Sequence, residues 1–275
     1  MSKFRASAGF VKKWQHLDFN AVGGVGTITL ARPKKLGALT FEAYADLRDL
    51  LLEVPHRGDT RVLVITGAGR GFCSGGDVEE IIAALRSMEV TDLLAFTRMA
   101  GAVVRELREC PLPVIAAVNG VAAGAGAVIA LAADIRLLAR SASFAFLFTK
   151  VGLAGADMGS AYLLPRVIGL GRATELLMLG DTVEAQQAVN IGLATSVVDD
   201  DALRESAAAL ARRLADGPAA AYAATKVVLT RELDMDLAGA LEMDAVTQAL
   251  LMRSRDHDEF FQAWSEGRKP AWTGR

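Results

Sequence analysis

Two stretches of the sequence share a chemical design. In VLVITGAGRGFCSGGD (62–77) and PVIAAVNGVAAGAGAVIA (113–130), an apolar, strand-like run leads through a glycine-laden turn toward a helix. The first amides of a helix have no intrahelical partner, and the dipole makes that end attractive to negative charge. Two such turns facing each other would hold one oxygen from both sides. That is an oxyanion hole, the device that stabilises the enolate or tetrahedral anion of a thioester or ester. Glycine used only for close packing is the competing reading of the same residues.

The first stretch also looks like a dinucleotide loop, Thr66-Gly67-Ala68-Gly69-Arg70-Gly71, and Tyr222 and Lys226 form a Tyr-x-x-x-Lys pair of the kind short-chain dehydrogenases carry. Sterics oppose NAD. The last glycine of that fingerprint falls at Cys73, whose side chain would crowd the approach of a pyrophosphate. A strand-like run also precedes the loop, which in a Rossmann unit opens the first βα turn.

The elements that must position these turns follow from composition and periodicity. With 275 residues, 52 % hydrophobic and 23 % charged, the chain can bury a large core. Lys+Arg 30 against Asp+Glu 32 gives a net charge of -2, which excludes nucleic-acid binding by bulk electrostatics. Two cysteines, Cys73 and Cys110, make neither a disulfide framework nor a structural zinc site, so no metal and a reduced, cytoplasmic setting are expected. The first residues, MSKFRASAGFVKKWQHLDF, show no apolar signal segment. The most apolar run, 121–133, is too short to span a bilayer and reads as a buried core helix, so no membrane is expected.

Strands are predicted at 25–30, 62–66, 114–118 and 135–139, with helices at 41–52, 78–88, 91–107 and 126–133 between or after them. This alternation makes an α/β core with both sheet faces covered. Beyond Gly180 only 196–198 reads as a strand. Helices at 201–214, 218–230, 237–252 and 257–264 take over, starting behind Asp199-Asp200-Asp201, where the macrodipole favours acids.

A longer pattern gathers these pieces. ITLARPKKLGALT, VITGAGRGFCSGGDVEE, PLPVIAAVNGVAAGAGAVIALAADIRLLARSASFAF, VGLAGADMGSAYLLPRVIGLGRATELLMLGDTVEAQQAVNIGLATSVV and EGRKPAWTGR resemble, in order, the enoyl-CoA hydratases and isomerases of the crotonase superfamily. The resemblance implies a crotonase-like spiral of β-β-α turns over 1–198 and a helical C-terminal trimerisation region over 199–275. It also implies homotrimers or hexamers, acyl-CoA thioester substrates, and no cofactor other than the coenzyme A carried by the substrate. On the positions that match, Gly76 and Ala125 are the oxyanion donors through their backbone N–H groups. Lys35, Leu36 and Ser74 fall where the family holds the adenine and phosphates of coenzyme A. A solvated surface charge is the other reading of Lys35.

The sequence departs from that pattern where hydratases keep two glutamates, positions that here hold Val128 and Phe148. Isomerases retain the second of the two, and it is absent as well. Phe144, Phe146 and Phe148, alternating on one face of a strand, either shape a pocket for a bulky or aromatic acyl group or pack in the core. One acid remains. Asp157 lies in the loop where dienoyl-CoA isomerases and 4-chlorobenzoyl-CoA dehalogenase keep a catalytic aspartate, shifted by one residue. An aspartate in an apolar glycine loop is partly desolvated, which suits it to proton transfer; capping the helix that starts near Gly159 is its alternative job. Tyr162 is a further candidate for the same site. Asp77 and Asp134 look structural, and His16, His56 and His257 fall outside every motif. The expected activity is enoyl-CoA hydratase/isomerase chemistry through a thioester enolate. A thioester hydrolase, dehalogenase or ring-modifying lyase of the same fold, or a CoA-binding pseudoenzyme, are the alternatives.

Overall fold

In the computed structural model, which describes residues 10–274, ten strands form two sheets. The reading of a signal-free N-terminus, and the start of the 1–198 core, therefore lie partly outside the described residues. The first sheet contains β1 (Asp18–Val22), β2 (Gly24–Leu30), β3 (Thr60–Gly67), β5 (Val114–Val118), β7 (Ile135–Ala139) and β10 (Ser196–Val198), in the order β1-β2-β3-β5-β7-β10. Only the β1–β2 hairpin is antiparallel; the remaining pairs are parallel. Every residue of β5 is buried, as a central strand covered on both faces requires.

The second sheet, β4 (Gly71–Cys73), β6 (Val121–Ala123), β8 (Ser143–Ala145) and β9 (Thr182–Glu184), consists of three-residue strands. Three strands of the first sheet each hand the chain to a short strand of the second: β3 to β4, β5 to β6, β7 to β8. The chain then turns into a helix or helical turn. This is the spiral of β-β-α turns.

The helices are α1 (Phe41–Arg57), the one-turn α2 (Ala83–Leu85) behind a π-helical turn Val78–Ile82, α3 (Val90–Glu109), α4 (Ala125–Ala132), α5 (Ser160–Ile168), α6 (Leu170–Leu179) and α7 (Ala185–Asn190). After β10 come α8 (Leu203–Ala215), α9 (Ala219–Glu232), α10 (Leu237–Leu251) and α11 (Arg255–Glu266). Thr40 caps α1 by accepting the Ala43 N–H, and Gly58 closes it in the left-handed conformation. The apolar run 121–133, read as one helix, is a strand and a helix, and all eight residues of α4 are buried. The first helix beyond residue 198, α8, lays Leu203, Ala207, Ala211 and Ala215 on the first sheet at four-residue spacing. In contrast, α10 buries none of its side chains.

The loop that resembles a dinucleotide fingerprint connects two strands, so no helix N-terminus stands behind it. Asn119 fills its concavity: Oδ1 accepts the Gly67 N–H at 2.9 Å, and Nδ2 donates to the carbonyls of Gly69 and Gly71 at 3.0 and 3.2 Å. Lys226 is buried elsewhere, donating to the Leu107 and Leu112 carbonyls and pairing with Asp134 at 2.8 Å. A phosphate-binding loop with a Tyr-Lys pair beside it is not what these residues build. Among the described residues no helix is long and apolar enough to cross a membrane.

Candidate active site

The two glycine turns do meet. Gly75 has φ +99°, open to glycine and costly for other residues, and a Cβ there would sit 3.1 Å from the Ala123 carbonyl oxygen and 3.6 Å from the Ala125 nitrogen. The turn after β4 thus lies directly against the start of α4. The contact continues below: a Cβ at Gly126 would run into the Cys73 carbonyl oxygen, so α4 approaches β4 as closely as backbone allows.

Local pairing leaves two amides unspent. Leu39 donates to the Gly75 carbonyl at 2.8 Å and accepts from the Asp77 N–H at 2.9 Å, which ties down both neighbours of Gly76 but not its own N–H. Ala125 is the first residue of α4, and its N–H has no carbonyl one turn earlier to serve. Among the described residues neither N–H has a hydrogen-bond partner. Gly76 and Ala125 line one cavity of about 390 Å³, together with Asp157 and a largely apolar wall that includes Val78, Ile81, Phe96 and Met158. A larger hollow of about 550 Å³ runs between β1–β3 and α8 and shares no residue with it.

Asp157 is half-buried in the loop before α5. Its Oδ1 accepts the Met158 N–H at 2.8 Å; Oδ2 has no donor among the described residues. Desolvation holds this carboxyl above the usual carboxylate range, against the smaller opposing pull of the Met158 N–H. The alternative job falls away: the residue at the start of α5 is Gly159, and no side chain caps that helix. Sequence reasoning missed the device that fixes Asp157, the fully buried Ser160. Its Oγ accepts the Asp157 N–H at 3.1 Å and donates to the Gly155 carbonyl at 2.8 Å, while its N–H donates to the Asp157 carbonyl at 2.9 Å.

Other sequence candidates separate. Ser74 lines the cavity, donates its N–H to the Leu36 carbonyl at 3.0 Å and its Oγ to the Lys35 carbonyl at 3.2 Å, so Lys35, Leu36 and Ser74 form one patch beside Gly76. Lys35 is ion-paired rather than merely solvated, with Glu79 at 2.5 Å and Asp77 at 3.9 Å. Of the three phenylalanines only Phe148 reaches the cavity. β8 ends at Ala145, the chain tightens into a 3₁₀ turn at Leu147–Val151, and the one-face alternation is lost, leaving Phe144 and Phe146 in the core. Val128 is fully buried in α4. Tyr162 is turned away: its hydroxyl donates to Asp234 at 2.6 Å and Arg166 lies over its ring. Asp77 is structural, with Oδ1 accepting the Glu79 and Glu80 N–H groups, and Asp134 accepts the Val114 N–H. Burial pushes the Cys73 thiol up to about 12, which removes it as a nucleophile.

The sequence profile described as enoyl-CoA hydratase/isomerase matches residues 20–275. The chain belongs to the enoyl-CoA hydratase/isomerase family. It is 40 % identical to 1,2-epoxyphenylacetyl-CoA isomerase of Escherichia coli K12, over 92 % of this chain and 96 % of that one. It is 33 % identical to (E)-benzylidenesuccinyl-CoA hydratase of Thauera aromatica, over 91 % and 96 %. A crystal structure from Streptomyces coelicolor A3(2), named provisionally as an enoyl-CoA hydratase, superposes with a TM-score of 0.98 at 62 % identity, covering all of both chains. In this family member the enzyme-like features, two free amides and one desolvated carboxylate, share a single cavity.

Proposed function

We propose that this family member moves a proton within an acyl-CoA thioester, an isomerase-type reaction. The observation that carries the reading is that Asp157 is the only carboxylate among the cavity's described lining residues, with the free Gly76 and Ala125 amides in the same wall. Asp157 takes a proton from a carbon activated by the thioester, and the electron pair moves onto the thioester oxygen. The two amides stabilise that enolate oxygen. Asp157 then returns the proton to a different carbon, so no atom is gained or lost. Paired-carboxylate addition of water needs a second acid or base, and the matching positions hold Val128 and Phe148.

Coenzyme A enters as part of the substrate, with Lys35, Leu36, Ser74 and the chain at Gly76 receiving its nucleotide end. Lys35 exchanges its exposed partner Glu79 for a phosphate, at little cost because exposed ion pairs are weak. No other cofactor is required by this chemistry. The helices beyond the first sheet, α10 above all, serve as the surface on which identical copies assemble into trimers or hexamers.

Mass spectrometry of straight-chain, branched and aromatic enoyl-CoAs incubated in deuterated water tests the reading. The expected result is deuterium incorporation or a shifted double bond with wild type and neither with Asp157→Asn. Equal exchange with both proteins removes Asp157 from the chemistry, and a gain of water without isomerisation replaces the isomerase by a hydratase.

A further inference from the structure

Tyr44 has no role in the chemistry above, yet its position is hard to explain by packing alone. It sits on α1, one turn beyond the Thr40 cap, only 3 % exposed, with its ring edge-on to Phe96 at 5.6 Å between centroids. Among the described residues its hydroxyl has no hydrogen-bond partner. Nor is that hydroxyl sealed in protein, as the orphaned Trp14 Nε1 and Thr149 Oγ1 are; Tyr44 opens onto the cavity that Gly76, Ala125 and Asp157 line.

The other side-chain hydroxyls of this wall are already committed. Thr97 donates to the Leu94 carbonyl and Ser74 to the Lys35 carbonyl, each at 3.2 Å. Tyr44 is therefore the side-chain donor left free among the described lining residues. Burial, with smaller contributions from Cys73 and Asp157, holds the phenol well above its usual range, so it stays a neutral O–H. A donor that faces a cavity is open to solvent water until a ligand covers it. An acyl chain that displaces that water without replacing its hydrogen bond leaves the donor orphaned and binds more weakly, while one that brings an acceptor does not.

We infer that Tyr44 is a specificity residue of the acyl cavity, and that the acyl group accepted here carries an oxygen beyond the thioester, as hydroxyl, keto or ether, that accepts the Tyr44 hydrogen bond. This rests on the acyl-CoA reading above. It goes further by naming the chemical class of the acyl group.

Calorimetric titration of the full chain tests it, with hexanoyl-CoA and phenylacetyl-CoA as parents and the same thioesters bearing one hydroxyl or keto oxygen at successive carbons. Wild type binds at least one oxygenated thioester about tenfold tighter than its parent, about 1.4 kcal/mol, the size of one hydrogen bond. Tyr44→Phe erases that preference and leaves the Kd of the parent unchanged or lower. Tyr44→Met, which also keeps apolar bulk without a donor, does the same, so either folded variant decides. Parents that bind wild type with no oxygenated thioester preferred, or a preference that survives both variants, overturn the inference and leave the acyl-CoA reading standing. Failure of every thioester to bind wild type overturns the acyl-CoA reading and the inference with it.

Discussion

At the scale of single residues, Asp157 joins stability to reactivity. Its carboxyl is held above the usual range by desolvation, so between the unfolded and the native pKa the native state keeps a proton that the unfolded chain has released. The contribution to stability is full below the unfolded carboxylate range and is lost as pH rises through the native pKa. Asp157→Asn removes that loss: the variant melts above wild type at neutral pH, and thermal scans show the gap closing in acid. As the base, Asp157 must be ionised, so kcat/KM falls on the acid side with an inflection above the ordinary carboxylate range. Ser160 acts through Asp157. Ser160→Ala leaves the Asp157 N–H and the Gly155 carbonyl short of a partner, costing about 1–3 kcal/mol in denaturant unfolding. It also lowers kcat more than it raises KM, because the carboxylate loses its fixed position.

At the scale of elements, the site depends on how closely α4 approaches the turn after β4. Gly126→Val sets a branched side chain against the Cys73 carbonyl, which cannot swing aside, so the loss reaches about 3 kcal/mol or more, the upper end of overpacking costs. Soluble expression and thermal unfolding check it. Ala125→Pro is the complementary change. Proline is well tolerated at the first position of a helix, so the fold survives while one oxyanion donor is deleted, and kcat falls by about 10²–10³.

The same elements explain what was legible beforehand. Strands β5, β7 and β10 were readable to the residue because their apolar runs are bounded by turn residues. The second sheet was not: three-residue strands such as Gly71–Cys73 and Val121–Ala123 are too short to show a period, and the latter lay hidden inside one apolar run with α4. Gly76, Ala125 and Asp157 were reachable through the glycine turns and the family resemblance. Ser160 and Tyr44 were not, because a serine or tyrosine in a helix carries no signal until the loop or cavity facing it is known. The phenylalanine alternation misled for a physical reason: a period of two predicts one face only while the strand lasts, and β8 stops at Ala145.

At the scale of the whole molecule, Leu237, Leu241, Leu250, Phe261 and Trp264 are all more than half exposed on α10 and α11, more apolar surface than a lone chain keeps without use. The assembly proposed above predicts that sedimentation gives three or six copies and that Leu241→Asp with Leu250→Asp shifts the protein toward smaller species. What unites the molecule is that spiral turns carry two helix starts from different β-β-α units to one point. The convergence of the Gly76 and Ala125 amides on a single thioester oxygen is thus the claim on which the rest depends. Its most direct test is the infrared C=O stretch of phenylacetyl-CoA labelled with carbon-13 at the thioester carbonyl, bound to wild type and to Ala125→Pro. The stretch moves to lower frequency on wild type and returns most of the way to its free value on the variant. A bound thioester whose stretch matches that in water, or a shift unaffected by Ala125→Pro, contradicts the account.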